Sequence, residues 1–217
     1  RAAVHRLVEA GVACTEEIRD RRDPLRDLLV VHRTAVELIG AQKTAADLLN
    51  AAIDRADGSG FVLHGVTGSG KTEVYLKLAQ DTVEQGRSVL VLVPEISLTP
   101  QVAKRFRKAF GARVALWHSR MTKAEKGWTW QQLKKGAYSV VVGARSALFA
   151  PLDDLGLIIV DEEQEFSYKQ DLNAPFYHAR DVALRMAELT GSTVILGSAT
   201  PDITSFYKAK IGEYRLM

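Results

Sequence analysis

The sequence has almost no cysteine, since Cys14 is the only one among its 217 residues. A single thiol excludes an internal disulfide and a cysteine-based zinc site within these residues. It also favours a reducing, cytoplasmic setting. No apolar run approaches the roughly 18 residues of a membrane-spanning helix, so we expect no membrane partner.

A strong charge of one sign is also missing. The 29 Lys and Arg residues nearly balance the 26 Asp and Glu residues, which leaves a formal net charge of +3. This mild excess is compatible with nucleic acid but is weak support for it. The sequence starts at Arg1 rather than at a methionine and shows no signal-peptide pattern. We therefore expect it to be a piece of a longer protein.

A glycine-rich loop is the most informative feature that is present. Residues 65–72 fit the phosphate-binding pattern G-x-x-x-x-G-K-[ST] at every fixed position. The apolar residues 61–63 before it predict a strand, and residues 73–85 after it predict a helix, which is the context that the motif requires. The members of this P-loop are Gly65, Val66, Thr67, Gly68, Ser69, Gly70, Lys71 and Thr72.

These residue types suit the phosphates of ATP and an accompanying Mg²⁺ ion. Glycines let backbone N–H groups approach phosphate oxygens, and the start of a helix favours an anion. Lys71 would reach the β- and γ-phosphates, and the Thr72 hydroxyl would bind Mg²⁺. A glycine-rich turn that binds no nucleotide is the alternative, which the matching strand and helix disfavour.

Strand and helix patterns alternate along the chain from residue 61 onward. Alternation of this kind predicts an α/β fold, a parallel sheet with helices on both faces. The predicted strands lie at 61–63, 89–93, 113–117, 139–142, 157–160 and 193–196. The predicted helices lie at 41–55, 73–85, 100–110, 123–135 and 178–189.

Two acids follow the strand that is predicted at residues 157–160. Asp161 and Glu162 would lie at the carboxyl edge of the sheet, where α/β proteins bind ligands and where the P-loop also lies. Asp161 would bind Mg²⁺, and Glu162 would deprotonate the attacking water. Such a pair is often only a solvated turn, but the P-loop upstream favours the catalytic interpretation. Lys71 and Glu162 are thus the predicted catalytic residues.

A third segment, Gly197-Ser198-Ala199-Thr200-Pro201, ends the next predicted strand at the same edge. The ordered set of P-loop, acid pair and Ser-Ala-Thr resembles motifs I, II and III of superfamily 2 helicases. Gln42 precedes the P-loop. It matches the glutamine with which such helicases recognise the adenine, so it is the further predicted nucleotide-binding residue.

Other segments resemble the PriA family of bacterial replication-restart helicases. The resemblance covers most of the chain, from about residue 38 to 217, and its most specific parts are residues 93–101, 142–151, 167–170 and 177–183. Ala144 stands where this family more usually has Thr, and Gln164 stands where its motif II usually ends in His. A glutamine can still hydrogen-bond motif III but carries no charge.

The resemblance implies a RecA-like P-loop NTPase lobe over residues 34–217, preceded over residues 1–33 by a linker or the tail of a winged-helix domain. It implies ATP-dependent 3′-to-5′ DNA translocation in primosome assembly and replication restart, in a bacterial, nucleoid-associated protein. Primosome proteins and single-strand-binding proteins would be its partners. The second lobe, with its arginine finger, and the zinc segment would lie outside these residues. We therefore expect the isolated lobe to be inactive.

Forked or single-stranded DNA is the expected substrate. Hydroxyls and cations at strand ends suit phosphate contacts, and aromatic residues interleaved with cations suit single strands. A packed loop whose aromatic residues fill the core is the alternative. The predicted DNA-binding or coupling residues are Ser97, Thr99, Arg145, Ser146, Gln164, Tyr168, Lys169, Tyr177, Arg180, Ser198 and Thr200.

Two other functions stay open at this point. A RecG-like fork translocase is favoured by the run from Asp161 to Gln164, because glutamine is usual at that position in RecG-like relatives. A nucleotide-binding scaffold that loads other proteins on DNA without hydrolysing ATP would keep the same P-loop.

Overall fold

The computed structural model describes residues 6, 8–12, 14, 37–94, 100–172 and 174–217. The predicted linker over residues 1–33 therefore lies mostly outside the described residues. The predicted DNA contacts Ser97 and Thr99 lie outside them as well.

A parallel sheet forms the centre of the domain. Its strands are β1 Gly60–His64, β2 Ser88–Leu92, β3 Val114–Trp117, β4 Val140–Gly143, β5 Leu155–Asp161, β8 Thr193–Ser198 and β9 Arg215–Leu216. They form a seven-stranded sheet in the order β3-β4-β2-β5-β8-β1-β9, and every described pairing within it is parallel. Two further strands, β6 Lys169–Gln170 and β7 Tyr177–His178, form a separate antiparallel pair.

Helices cover both faces of this sheet. They are α1 Gly40–Arg55, α2 Lys71–Glu84, α3 Pro100–Phe110, α4 Lys123–Lys134, α5 Ala179–Thr190 and α6 Ile203–Lys210. Short 3₁₀ turns lie at Gly111–Arg113, Arg145–Phe149 and Phe166–Tyr168.

Alternate residues of the central strands enter two different cores. Phe61 and Leu63 of β1 pack in the core beneath α1, α2 and α3, whereas Val62 packs in the core beneath α4 and α5. Each strand is therefore buried on both faces, which is why these strands are continuous apolar runs in the sequence. The predicted α/β fold, with a parallel sheet between two helical layers, is confirmed.

Four short elements are not predicted from the sequence: the strands β6, β7 and β9, and the helix α6. Each of the three strands has two residues, which is too short for a periodic pattern to be recognised. Helix α6 has Asp202 as its N-cap, because the Asp202 side chain accepts a hydrogen bond from the N–H of Thr204 at 2.9 Å. Aspartate is a preferred N-cap residue, so this signal could have indicated the helix. Strand β9 extends the sheet beyond β1, so the strand that leads into the P-loop has a neighbour on each side.

We expect Gly143→Ala to destabilise the protein by about 1–3 kcal/mol, because a methyl group there has no space. Gly143 ends β4 opposite Trp117 of β3, and a Cβ atom on it would collide with the backbone carbonyl oxygen of Trp117. Gly127→Ala is the matched control, because Gly127 lies inside α4 with nothing within 4 Å of an added Cβ atom. The control should stabilise the protein by about 0.5–1 kcal/mol. Urea unfolding measures both variants, and equal midpoints would contradict the expected close approach.

Candidate functional site

Three chain segments meet at the carboxyl edge of the sheet, as the sequence predicts. Strand β8 lies between β1 and β5, with Gly197 paired to Asp161 and Ser198 paired to His64. Beyond the strands, the N–H of Gly65 donates to the Ser198 carbonyl at 3.1 Å, and the N–H of Glu163 donates to the Gly197 carbonyl at 3.1 Å. The start of the P-loop and the acids are thus bonded to two adjacent residues of β8.

The P-loop adopts a conformation that depends on glycine. Gly68 and Gly70 have φ values of 81° and 85°, which residues with a side chain rarely adopt. A Cβ atom on Gly65 would lie 2.6 Å from the Ser69 hydroxyl oxygen, and one on Gly70 would collide with the Gln42 amide nitrogen. The Ser69 and Gln42 side chains therefore lie close against the backbone of the loop at these glycines. A glycine-rich loop of this kind offers its backbone N–H groups to phosphate oxygens.

The Lys71 ammonium lies inside the curve of the P-loop. Its Nζ donates to the carbonyl of Gly65 at 2.6 Å and lies 3.5 Å from that of Val66. Helix α2 begins at Lys71, and its N-cap, Gly70, supplies no side-chain hydrogen bond. The first N–H groups of a helix have no partner within the helix, so they suit an anion. The Lys71 cation and the start of α2 lie at the same concavity. This arrangement fits the phosphates of a nucleoside triphosphate.

Gln42 contacts the P-loop directly. Its Nε2 donates to the Ser69 carbonyl at 2.9 Å, and its Oε1 accepts from the N–H of Ile39 at 3.3 Å. Both ends of the amide are therefore bonded to backbone. This links the first turn of α1 to the loop, and the recognition of an adenine by Gln42 stays a prediction.

Asp161, the last residue of β5, is bonded on two sides. Its Oδ1 accepts from the Tyr75 hydroxyl at 3.1 Å, and its backbone carbonyl accepts from the Tyr168 hydroxyl at 2.6 Å. Burial, followed by the charge of Glu162, raises the pKa of Asp161 above its ordinary value, while Tyr75 and Lys71 partly oppose this rise. A divalent cation beside this carboxylate would offset the cost of its buried charge, so Asp161 fits an Mg²⁺ ligand.

A chain of hydrogen bonds links Glu162 to the segment after β8. The Nε2 of Gln164 donates to Oε2 of Glu162 at 2.9 Å, and the Ser198 hydroxyl donates to Oε1 of Gln164 at 2.5 Å. The Ser198 hydroxyl oxygen in turn accepts from the N–H of Thr200 at 2.8 Å. Gln164 therefore bonds motif III although it stands where histidine is usual. Glu162 itself has a φ of 48°, which is uncommon for a residue with a side chain.

Glu163 is a buried structural acid whose role the sequence does not indicate. Its side chain is 0% exposed, and its Oε2 lies 2.9 Å from Nη1 of Arg180, while Oε1 accepts from the N–H of Asp202 at 2.6 Å. Arg180 also lies 3.2 Å from Oδ1 of Asp202, and its side chain is only 11% exposed. This burial contradicts the predicted DNA contact of Arg180, whose guanidinium instead joins three segments of the chain.

Tyr168 was also predicted to contact DNA, and its burial contradicts a stacked base. The residue is 0% exposed and belongs to the core beneath α5. The 3₁₀ turn Phe166–Tyr168 turns the ring inward, so that its hydroxyl reaches the Asp161 carbonyl. The alternative of a packed aromatic is therefore correct for this residue. A coupling role through its bond to Asp161 stays a prediction.

Arg145 is bonded to the segment that follows the acids. Its Nη1 donates to the carbonyls of Ser167, at 3.2 Å, and of Lys169, and its Nη2 donates to the Gln170 side chain. Its guanidinium also lies over the Tyr177 ring, 5.8 Å from the centroid. These contacts direct part of the guanidinium at the protein itself, and a phosphate contact of the half-buried Arg145 stays a prediction.

Four of the predicted DNA contacts keep an accessible position. Ser146, Lys169 and Thr200 are exposed, and Tyr177 is half-buried against the ring of Phe149. Lys169 lies over the exposed ring of Phe166, with 5.4 Å between Nζ and the ring centroid. A role in DNA binding stays a prediction for these residues.

The sheet order and the three converging segments define a RecA-like helicase lobe. The chain belongs to the DEAD/DEAH box helicase family, whose model matches residues 41–208. Within it, the resemblance to the PriA family is confirmed, since the chain is 42% identical over 216 residues to the replication restart protein PriA of Bacillus subtilis strain 168. That match covers 100% of this chain and 27% of the relative. The PriA protein of Synechocystis is 56% identical over 146 residues, which cover 67% of this chain and 18% of that protein.

The chain therefore spans about a quarter or less of the length of these two relatives. Among solved structures, it resembles RecG bound to a three-way DNA junction, with a TM-score of 0.59 and 24% identity over 84% of this chain and 24% of that one. It also resembles the UvsW helicase of bacteriophage T4, with a TM-score of 0.58 and 16% identity over 99% of this chain and 75% of that one. Such low identities show the fold alone.

No helix in the described part of the chain is long and apolar enough to cross a membrane.

We expect Asp161→Asn to raise the melting temperature at neutral pH. The folded protein raises the pKa of Asp161, mainly by burial, so it binds a proton more tightly than the unfolded chain does. The charged form of Asp161 thus lowers the free energy of unfolding at neutral pH. This loss disappears as the pH falls through the raised pKa and the carboxyl is protonated. The advantage of Asp161→Asn should therefore shrink in acid. Melting curves across a pH series test this, and an advantage that grows in acid would contradict it.

Proposed function

We propose that the chain is the ATP-binding lobe of a replication-restart helicase, and that the whole protein couples ATP hydrolysis to 3′-to-5′ movement along DNA. The observation that carries this proposal is the bonded convergence of the P-loop, the acids and the Ser198–Thr200 segment at one edge of the sheet. The likeness to PriA supports the direction of movement and the role in primosome assembly. Identities of 42% and 56% to PriA proteins, against 24% to RecG, favour this function over a RecG-like one.

In this proposal, the P-loop residues from Gly65 to Thr72 bind the phosphates of ATP, and Gln42 contributes to recognition of the adenine. Thr72 and Asp161 bind Mg²⁺, which neutralises phosphate charge when it is present. Glu162 accepts the proton of the attacking water. Its hydrogen bond from Gln164 orients the carboxylate toward this task.

The hydrogen bonds of Gln164 to Glu162 and Ser198, which we call the Gln164 relay, are the proposed route that couples DNA binding to ATP hydrolysis. The relay joins Glu162 to Ser198 and to the backbone of Thr200, at the exit of β8. A movement of the Ser198–Thr200 segment would therefore change the position of the carboxylate. Coupling requires two states of this segment that ATP and DNA favour differently.

DNA, forked or single-stranded, is the proposed substrate of the whole protein. The likeness to RecG, whose structure was solved in complex with a three-way DNA junction, supports DNA as the partner. Ser146, Lys169, Tyr177 and Thr200 are the accessible candidates, and Ser97 and Thr99 stay candidates from the sequence. Primosome proteins and single-strand-binding proteins are proposed partners by likeness to PriA.

We expect Lys71→Ala to weaken the binding of a non-hydrolysable ATP analogue by at least about tenfold, because a charge-assisted hydrogen bond to phosphate is lost. Lys77→Ala is the matched control, because Lys77 lies on the same helix and pairs with Asp81 at its surface. The control should bind the analogue as the unchanged protein does. Calorimetric titration measures both variants. Equal affinities for the two would refute the assignment of the P-loop.

We expect Glu162→Gln in the full-length protein to retain ATP binding but to slow DNA-stimulated hydrolysis by about 10²- to 10⁴-fold, as for the loss of a general base. Glu165→Gln removes a neighbouring carboxylate and is the control, with hydrolysis near that of the unchanged protein. Steady-state ATPase assays with and without forked DNA also distinguish a helicase that hydrolyses ATP from a scaffold that only binds it. No hydrolysis by the unchanged full-length protein on any DNA would favour the scaffold instead.

A further inference from the structure

Tyr75 has a buried hydroxyl that the roles described above do not use. It lies in the second turn of α2, is 1% exposed and follows the apolar Val74. Its ring packs in the core beneath α1, α2 and α3, while its hydroxyl donates to Oδ1 of Asp161 at 3.1 Å. A phenylalanine would supply the same apolar ring, so packing alone does not account for the hydroxyl.

Gly197 provides the space for this hydroxyl. A Cβ atom on Gly197 would collide with the Tyr75 hydroxyl and would lie 2.8 Å from the ring carbon Cζ. Gly197 is also the residue of β8 that pairs with Asp161 of β5. Tyr75 of α2, Asp161 of β5 and Gly197 of β8 therefore meet at one point. The Tyr75 hydroxyl bonds Asp161 and occupies the space that a side chain on residue 197 would fill.

The contact restricts the Asp161 carboxylate. An aspartate side chain rotates about two bonds, and a hydrogen bond from a buried, rigid phenol to one oxygen fixes the second rotation. Oδ1 is bonded to Tyr75, so Oδ2 would be the oxygen that is left for a cation. Hydrogen bonds of this kind orient metal ligands and contribute to metal affinity.

We propose that Tyr75 is a positioning residue that orients the Asp161 carboxylate for Mg²⁺, and that Gly197 is small because it must admit the Tyr75 hydroxyl. This rests on the proposed role of Asp161 as an Mg²⁺ ligand. The hydroxyl of Tyr75 is bonded to Asp161. It acts through Asp161 only, so it should affect the Mg²⁺ requirement and not nucleotide binding as such.

The test is Tyr75→Phe in the full-length protein, with a fluorescent, non-hydrolysable ATP analogue titrated at increasing Mg²⁺ concentrations. Affinity without Mg²⁺ should be unchanged, whereas the Mg²⁺ concentration for half-maximal enhancement should rise about tenfold, as for other residues that orient a metal ligand. Tyr138→Phe is the matched control. It removes the hydroxyl of another buried tyrosine, whose ring packs edge-on against Trp128, and it should leave the Mg²⁺ requirement unchanged.

Gly197→Ala provides a second, independent measurement. Its methyl group should displace the Tyr75 hydroxyl and raise the Mg²⁺ requirement, and this rise should be smaller when residue 75 is already phenylalanine. Additive effects of the two changes would overturn the proposed link between these residues. An unchanged Mg²⁺ requirement in Tyr75→Phe, or an equal loss of affinity with and without Mg²⁺ together with a lower melting temperature, would overturn the positioning role. Failure of the unchanged protein to bind the analogue would refute the proposed function itself.

Discussion

The parallel pairing of β8 with both β1 and β5 is the constraint on which the site depends. The P-loop follows β1, and the acids follow β5, so neither segment contacts the other through the sheet. Both contact β8, whose Gly197 and Ser198 carbonyls accept hydrogen bonds from Glu163 and Gly65. Because backbone bonds of this kind fix distance and direction together, a shift of β8 by one residue would displace both halves of the site.

The buried pair of Glu163 and Arg180 extends this constraint to the helices. A buried ion pair adds little net stability, but removal of one partner leaves an uncompensated charge and costs about 3–5 kcal/mol. Here the pair joins the segment after β5 to α5, and through Ser205 and Asp202 it also joins α6. The acid beside the proposed catalytic Glu162 therefore supports the structure, while Glu162 itself stays available at the surface of the site.

The sequence predicted six strands of the sheet, the five longer helices and the convergence of the motifs, because these features follow from long apolar patterns and from short-range rules. It could not decide the environment of single polar and aromatic residues. Tyr168, Arg145 and Arg180 have the composition of a DNA-binding loop, but their partners are a backbone carbonyl, a neighbouring turn and a buried acid. Those partners are distant in the chain or lie in its backbone, so no local pattern shows them. The strand β9 was missed for the different reason that it has only two residues.

The Gln164 amide donates a hydrogen bond at one end of the relay and accepts one at the other. Its nitrogen faces the Glu162 carboxylate, and its oxygen faces the Ser198 hydroxyl. Rotation of the amide by half a turn would turn its oxygen toward the Glu162 carboxylate, so two acceptors would face each other and this bond would be lost, whereas the Ser198 hydroxyl could still accept from the amide nitrogen. A histidine at this position would change its charge within the physiological pH range, whereas an amide stays neutral. The bond between Gln164 and Glu162 thus depends on the orientation of the amide rather than on a change of charge at residue 164.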